Sequence, residues 1–174
     1  ALDFLHAAPL RRYGVRIEGA TDFAAIAGAD VVVLTAGVPR KPGMGREDLV
    51  GANQLVITNI IENALPRSPN AILIVVTNPL DTMTYLAYKY SKLPKQRVIG
   101  QAGILDSARF AAFVAQELNV AIENVHTVVL GGHGDEMVPL TRYSTVFGVP
   151  LAEWLSADKL NALVDRTRKG GGEI

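Results

Sequence analysis

Asp30-Val31-Val32-Val33-Leu34-Thr35 and, further along, Ala71-Ile72-Leu73-Ile74-Val75-Val76-Thr77 are the two runs that decide the architecture. Both are apolar and largely β-branched. Both end in threonine and break at once, the first into Ala36-Gly37, the second into Asn78-Pro79. Such runs suit parallel strands covered on both faces. Between them, residues 47–65 read as a long helix. Its first residues, Glu47 and Asp48, lie favourably beside the positive end of the helix dipole. Its apolar residues, among them Leu49, Leu55, Ile57 and Ile61, spread beyond one stripe. The helix should therefore pack on its own sheet and on something else, either more of its own chain or another subunit. A further helix is expected over 81–90 and a short strand over 97–100. Strands alternating with helices up to Gly100 predict an open parallel α/β sheet. In such sheets ligands bind at the carboxyl ends of the strands.

Working outward, residues 1–8 have helical spacing that Pro9 should stop, and 15–18 read as a short strand. Thr21-Asp22 should cap a short helix over 23–27 that ends at Gly28. Downstream, 107–118 is expected to be helical, with Phe110, Ala111, Val114 and Leu118 on one face. Residues 125–130 and 141–147 read as strands, and 157–168 as a helix. Gly170-Gly171-Gly172 should end that helix, unless its glycines pack closely against a neighbour.

Composition narrows the function classes. The chain has 174 residues, 49% hydrophobic and 20% charged, with zero formal net charge. That is one domain or one and a fraction with a packed core, and it argues against nucleic acid or a membrane surface as the main partner. Cysteine is absent, so disulfides and zinc-thiolate sites are excluded and a cytoplasmic location fits. No apolar run has the length of a membrane span. The chain opens at Ala1 without methionine and closes inside an unfinished helix, so a fragment of a longer protein is expected.

The chemistry gathers around Gly131-Gly132-His133-Gly134-Asp135-Glu136-Met137-Val138-Pro139. A histidine between glycines just past a strand end has an accessible ring and a backbone that a ligand can approach. Its ordinary proton affinity suits proton transfer near neutral pH. Equally, the stretch is a glycine-rich turn with a surface histidine. In Leu105-Asp106-Ser107-Ala108-Arg109, Asp106 and Arg109 are three apart and share a helix face. A carboxylate behind a histidine fixes its tautomer, and an arginine offers a planar fork to a carboxylate. The plainer readings are a helix N-terminal acid and a solvated arginine. Arg40 and Arg46 flank Lys41-Pro42-Gly43-Met44-Gly45, either a lid that closes over an anion or an exposed basic loop. Asn78 is either a ligand-binding amide at a strand end or a turn-former before Pro79.

These stretches together resemble the lactate/malate dehydrogenase family, and within it the malate dehydrogenases built on the lactate-dehydrogenase plan. The matching pieces are Ala1-Leu2-Asp3-Phe4-Leu5, the segment from Thr35-Ala36-Gly37 to Met44, Val76-Thr77-Asn78-Pro79, Leu105 to Arg109, and Gly131-Gly132-His133-Gly134-Asp135. They stand in the family's order across nearly the whole chain. The resemblance implies a Rossmann-type parallel sheet lacking its first βαβ unit over 1–100, followed by an incomplete α+β substrate domain over 101–174. It implies NAD as cofactor and the reversible oxidation of malate to oxaloacetate, a step of the tricarboxylic acid cycle, in a homodimer or homotetramer. His133 would take the hydroxyl proton, and Asp106 would orient and stabilise protonated His133. Arg109 would pair with the α-carboxylate, and Arg46 would polarise the carbonyl. Asn78 would hydrogen-bond the substrate. Arg40 matches the residue that meets the second carboxylate, where lactate-specific relatives usually hold glutamine. Thr35, Ala36, Gly37, Asn53, Val76, Thr77 and Asn78 remain as cofactor contacts.

The family's Gly-x-Gly-x-x-Gly fingerprint and ribose-reading acid are absent from this chain, which leaves NAD against NADP to the resemblance alone. The isolated chain is accordingly expected to bind NADH poorly. Three other readings compete. A metal hydrolase using His133, Asp135 and Glu136 suffers from the adjacency of its ligands. A non-catalytic interaction fragment and a lactate dehydrogenase complete the set, and Arg40 argues against the last. His126 is expected to point from its strand into packing, and His6 to lie near the surface.

Overall fold

The structure, a computed structural model, describes residues 2–39 and 46–172. Its elements in chain order are α1 (Leu2–Arg11), β1 (Val31–Leu34), α2 (Arg46–Ala64), β2 (Ile72–Val75), α3 (Leu80–Ser91), β3 (Val98–Gly100) and α4 (Gly103–Leu118). Then follow β4 (Val125–His126), β5 (Val129–Gly131), β6 (Met137–Pro139), β7 (Thr145–Val146), β8 (Val149–Pro150), α5 (Leu151–Trp154) and α6 (Ala157–Lys169).

The two opening runs form neighbouring parallel strands. Val31 to Leu34 pair with Ile72 to Val75, and β2 pairs in parallel with β3. Crossovers through α2 and α3 supply the length that parallel neighbours need. Leu34, Leu73 and Val75 meet Ile57 and Ile61 of α2 and Met83 and Ala87 of α3 in one apolar core. Each of the larger buried side chains contributes roughly 1.5–3 kcal/mol. The expectation of burial on both faces fails for β1. Val31 and Val33 are 47% and 54% exposed, because β1 is the edge strand of the described sheet and no described element covers that face. Leu55, on the outer side of α2, is likewise exposed.

After Gly100 the pattern changes to small antiparallel sheets, β4-β7-β8 and β5-β6. They close with α4 and α6 over a second core built on Phe110, Val114, Met137, Val146 and Leu151. Several expectations need correction here. Residues 125–130 are two strands in different sheets. Ser107 and Ser144 intercept the chain between them: Val128 N–H donates to Ser144 Oγ and Val129 N–H to Ser107 Oγ. Residues 141–147 hold only Thr145–Val146 as strand, preceded by a 3-10 turn. Residues 15–18 form no strand, since no described strand offers them a ladder. The first helix passes through Pro9 to Arg11. Proline's fixed φ is compatible with a helix, and the cost is one missing hydrogen bond and local crowding. His126 is exposed rather than packed.

Candidate functional site

The glycine stretch after β5 is a hairpin turn leading into β6. Gly131 pairs with Met137 at φ +87°, and a Cβ on it would sit 2.6 Å from the Glu136 carbonyl oxygen. Only glycine meets both conditions. This tight return swings His133 toward the N-terminal turn of α4. There Asp106 Oδ2 lies 2.8 Å from His133 Nδ1, and Asp106 Oδ1 lies 3.3 Å from Arg109 Nη1. The Asp106 side chain is 3% exposed, Arg109 13% and His133 23%. Carboxylate oxygens only accept, so Nδ1 carries the hydrogen that binds Asp106. Nε2 of the neutral ring is then left with its lone pair, able to take a proton. The buried carboxylate is balanced by the Arg109 guanidinium before His133 gains charge and by both afterwards.

A contact the sequence did not suggest holds the histidine from behind. Asp81, in the first turn of α3, accepts from the His133 backbone N–H through Oδ2 at 3.0 Å. The two residues are 52 apart in the chain. Its only local signal is an acidic residue just after Asn78-Pro79. Asp81, Thr84, Gly100 and His133 border a cavity of about 260 Å³. The Thr84 hydroxyl is buried with no partner among the described residues.

A second cavity, about 310 Å³, lies over the carboxyl ends of β1 and β2 and is bordered by Thr35, Gly37, Asn53, Val76, Thr77 and Asn78. Asn53, 1% exposed, ties its walls together. It accepts from Val38 N–H at 2.6 Å and donates to the Asn78 carbonyl at 2.6 Å and the Val38 carbonyl at 3.3 Å. Thr77 Oγ1 donates to the Ala36 carbonyl at 2.7 Å. Gly37 is pressed so close that a Cβ would meet Thr77 Cγ2 at 2.7 Å. Ala36 borders a different cavity, on the side of Phe23 and Ile60.

The structure thus brings His133, Asp106 and Arg109 into one line, and gathers Thr35, Gly37, Asn53, Val76, Thr77 and Asn78 around one cavity. Asn78 does not border the His133 cavity. Arg40 lies outside the described residues, as does the side chain of Arg46 at the start of α2. Among the described residues, no group of three or more His, Cys, Asp or Glu side chains could hold a metal ion. No described helix is long and apolar enough to cross a membrane.

A family model described as lactate/malate dehydrogenase, NAD binding domain, matches residues 1–100. A second, lactate/malate dehydrogenase, alpha/beta C-terminal domain, matches 104–174. The chain belongs to the lactate/malate dehydrogenase family. Within this family it is 54% identical over 173 residues to a malate dehydrogenase of Roseiflexus sp. strain RS-1, covering 99% of this chain and 56% of that relative. It superimposes with a TM-score of 0.91 on the apo malate dehydrogenase of Picrophilus torridus, at 47% identity, over 100% of this chain and 55% of that one. The lactate dehydrogenase of Cryptosporidium parvum, solved with lactic acid and nicotinamide adenine dinucleotide, gives a TM-score of 0.88 at 37% identity, covering 100% of this chain and 56% of that one. The lactate/malate dehydrogenase chain described here therefore spans about half the length of the curated relatives it matches.

Proposed function

We propose that the protein carrying this chain is an NAD-dependent malate dehydrogenase, and that His133 is its proton-transfer group. The observation that carries the reading is the pairing of His133 Nδ1 with the buried Asp106 carboxylate at 2.8 Å, with Arg109 on the other oxygen. That pairing leaves His133 Nε2 available, and the same carboxylate holds the Arg109 guanidinium. In malate oxidation Nε2 takes the hydroxyl proton, and Asp106 stabilises the imidazolium formed. In oxaloacetate reduction Nε2 returns the proton to the carbonyl oxygen. Arg109 holds the α-carboxylate, Arg46 supports negative charge on the reacting oxygen, Asn78 hydrogen-bonds the substrate and Arg40 meets the second carboxylate.

The cavity above β1 and β2 fits one part of a dinucleotide. Gly37 packs directly on Thr77 and Asn53, and these two side chains tie the rim together. The unpartnered Thr84 hydroxyl offers a polar group beside His133. The nicotinamide, when bound, supplies the hydride acceptor or donor. Residues 1–100 form the dinucleotide-binding part and 101–174 the substrate part. The protein works as a homodimer or homotetramer in the cytoplasm, in the tricarboxylic acid cycle, with neither nucleic acid nor membrane as partner.

The lactate dehydrogenase similarity keeps a second specificity in view, and Arg40 favours the dicarboxylate. Full-length protein should oxidise NADH on addition of oxaloacetate, and His133→Gln should abolish turnover while NADH binding persists. A His133→Gln protein with near-parental turnover would contradict the assignment.

A further inference from the structure

We propose that Gly170 positions the Arg109 guanidinium, so that the glycine-rich end of α6 sets the grip on the substrate carboxylate. The inference rests on the reading of Arg109 as the carboxylate-binding arginine. Gly170 is buried and has φ −61° and ψ −18°, a right-handed conformation open to any residue. Backbone freedom does not explain a glycine there. Space does. A Cβ on Gly170 would lie 2.4 Å from Arg109 Cδ, 2.8 Å from Nε and 3.3 Å from Cζ. Ordinary carbon contacts lie near ~3.5–4.0 Å, so one added methyl requires a retreat of about 1 Å or more.

The side that retreats is decided by what each partner is tied to. The end of α6 is anchored. Thr167 is fully buried, and Leu163, one turn earlier, packs into the second core. Arg168 Nε donates to the Met137 carbonyl on β6 at 3.3 Å. Arg109 is a long side chain whose tip, among the described residues, makes one hydrogen bond, to Asp106 Oδ1 at 3.3 Å. A methyl on Gly170 therefore displaces the guanidinium and draws it from Asp106, with little change in the helix. Gly171 is the internal control, since a Cβ there would meet nothing within 4 Å.

The test uses full-length protein and compares Gly170→Ala, Gly171→Ala, Arg109→Gln and the Arg109→Gln/Gly170→Ala double variant. Misplacement of about 1 Å in a positioning group costs up to roughly a hundredfold. Gly170→Ala should raise KM for oxaloacetate by about 10–100-fold, leave kcat within about threefold and leave Kd for NADH unchanged. Gly171→Ala should match the parent. Because Gly170 acts through Arg109, Gly170→Ala should add nothing to Arg109→Gln. A KM within twofold of the parent, an equal rise in Gly171→Ala, or full additivity in the double variant overturns the proposal. If Gly170→Ala fails to fold, rescue by Arg109→Ala, which removes the crowding Cδ, supports the contact and failure of that double variant overturns it. The underlying reading fails separately: Arg109→Gln with parental KM removes the carboxylate role, whatever Gly170 does.

Discussion

Replacing Asp106 with asparagine preserves shape and removes charge at the centre of the proposed site. The carboxylate, 3% exposed, serves His133 Nδ1 at 2.8 Å and Arg109 Nη1 at 3.3 Å. An amide has one accepting oxygen and one donating nitrogen, so it cannot accept from both. With its oxygen toward Nδ1, its NH2 faces the guanidinium, donor against donor. With its NH2 toward Nδ1, the ring proton moves to Nε2, where a substrate hydroxyl can no longer deliver one. A hydrogen bond to a charged group contributes about 1.5–3 kcal/mol and a neutral one about 1. Protonated His133 therefore loses up to about 2 kcal/mol of support, and the misoriented tautomer adds to this. A total of about 2–3 kcal/mol corresponds to a fall of roughly 30–150-fold in kcat. The assay is steady-state NADH absorbance in both directions, in full-length protein, with NADH affinity read separately by fluorescence titration. A kcat within threefold of the parent in both directions would refute the reasoning.

Three further expectations follow from the same geometry. Asp81→Ala removes the acceptor for the His133 backbone N–H and should lower kcat by about 5–20-fold through misplacement of the ring, with NADH affinity, read by fluorescence titration, unchanged. Asn53→Ala strips Val38 N–H and the Asn78 carbonyl of their partner; at about 1–3 kcal/mol for each unsatisfied buried group, thermal unfolding should begin about 5–10 °C lower. Arg40→Gln should move the kcat/KM preference from oxaloacetate toward pyruvate by roughly a hundredfold, and an unchanged ratio would remove Arg40 from the specificity account.

The sequence announces features set by short-range chemistry. The β-branched run Val31–Leu34, the acidic start of α2 and the Asp22 side chain that accepts from Ala24 N–H all act over a few residues. So does the i, i+3 pair Asp106 and Arg109. What was hidden depends on distant partners. The break between β4 and β5 is made by Ser107 and Ser144, whose hydroxyls accept from residues 16 and 22 positions away. Residues 15–18 have strand-like alternation, but alternation is not a ladder without a neighbour. His133 and Asp106 lie 27 residues apart; their chemistry suggested one site and the resemblance gave each its role, but no spacing brought them into contact. For Asp81 the sequence offered only an acid near Asn78-Pro79, and for Gly170 only a glycine run that could pack closely; neither sign names the partner, because each acts on a residue in another element.

The central claim is most directly tested by the ratio of kcat/KM for oxaloacetate over pyruvate, with NADH, in the full-length protein carrying this chain. A dicarboxylate-binding site should favour oxaloacetate by at least about a hundredfold, since pyruvate leaves a closed-site charge unpaired. A ratio near one, or a preference for pyruvate, would contradict it.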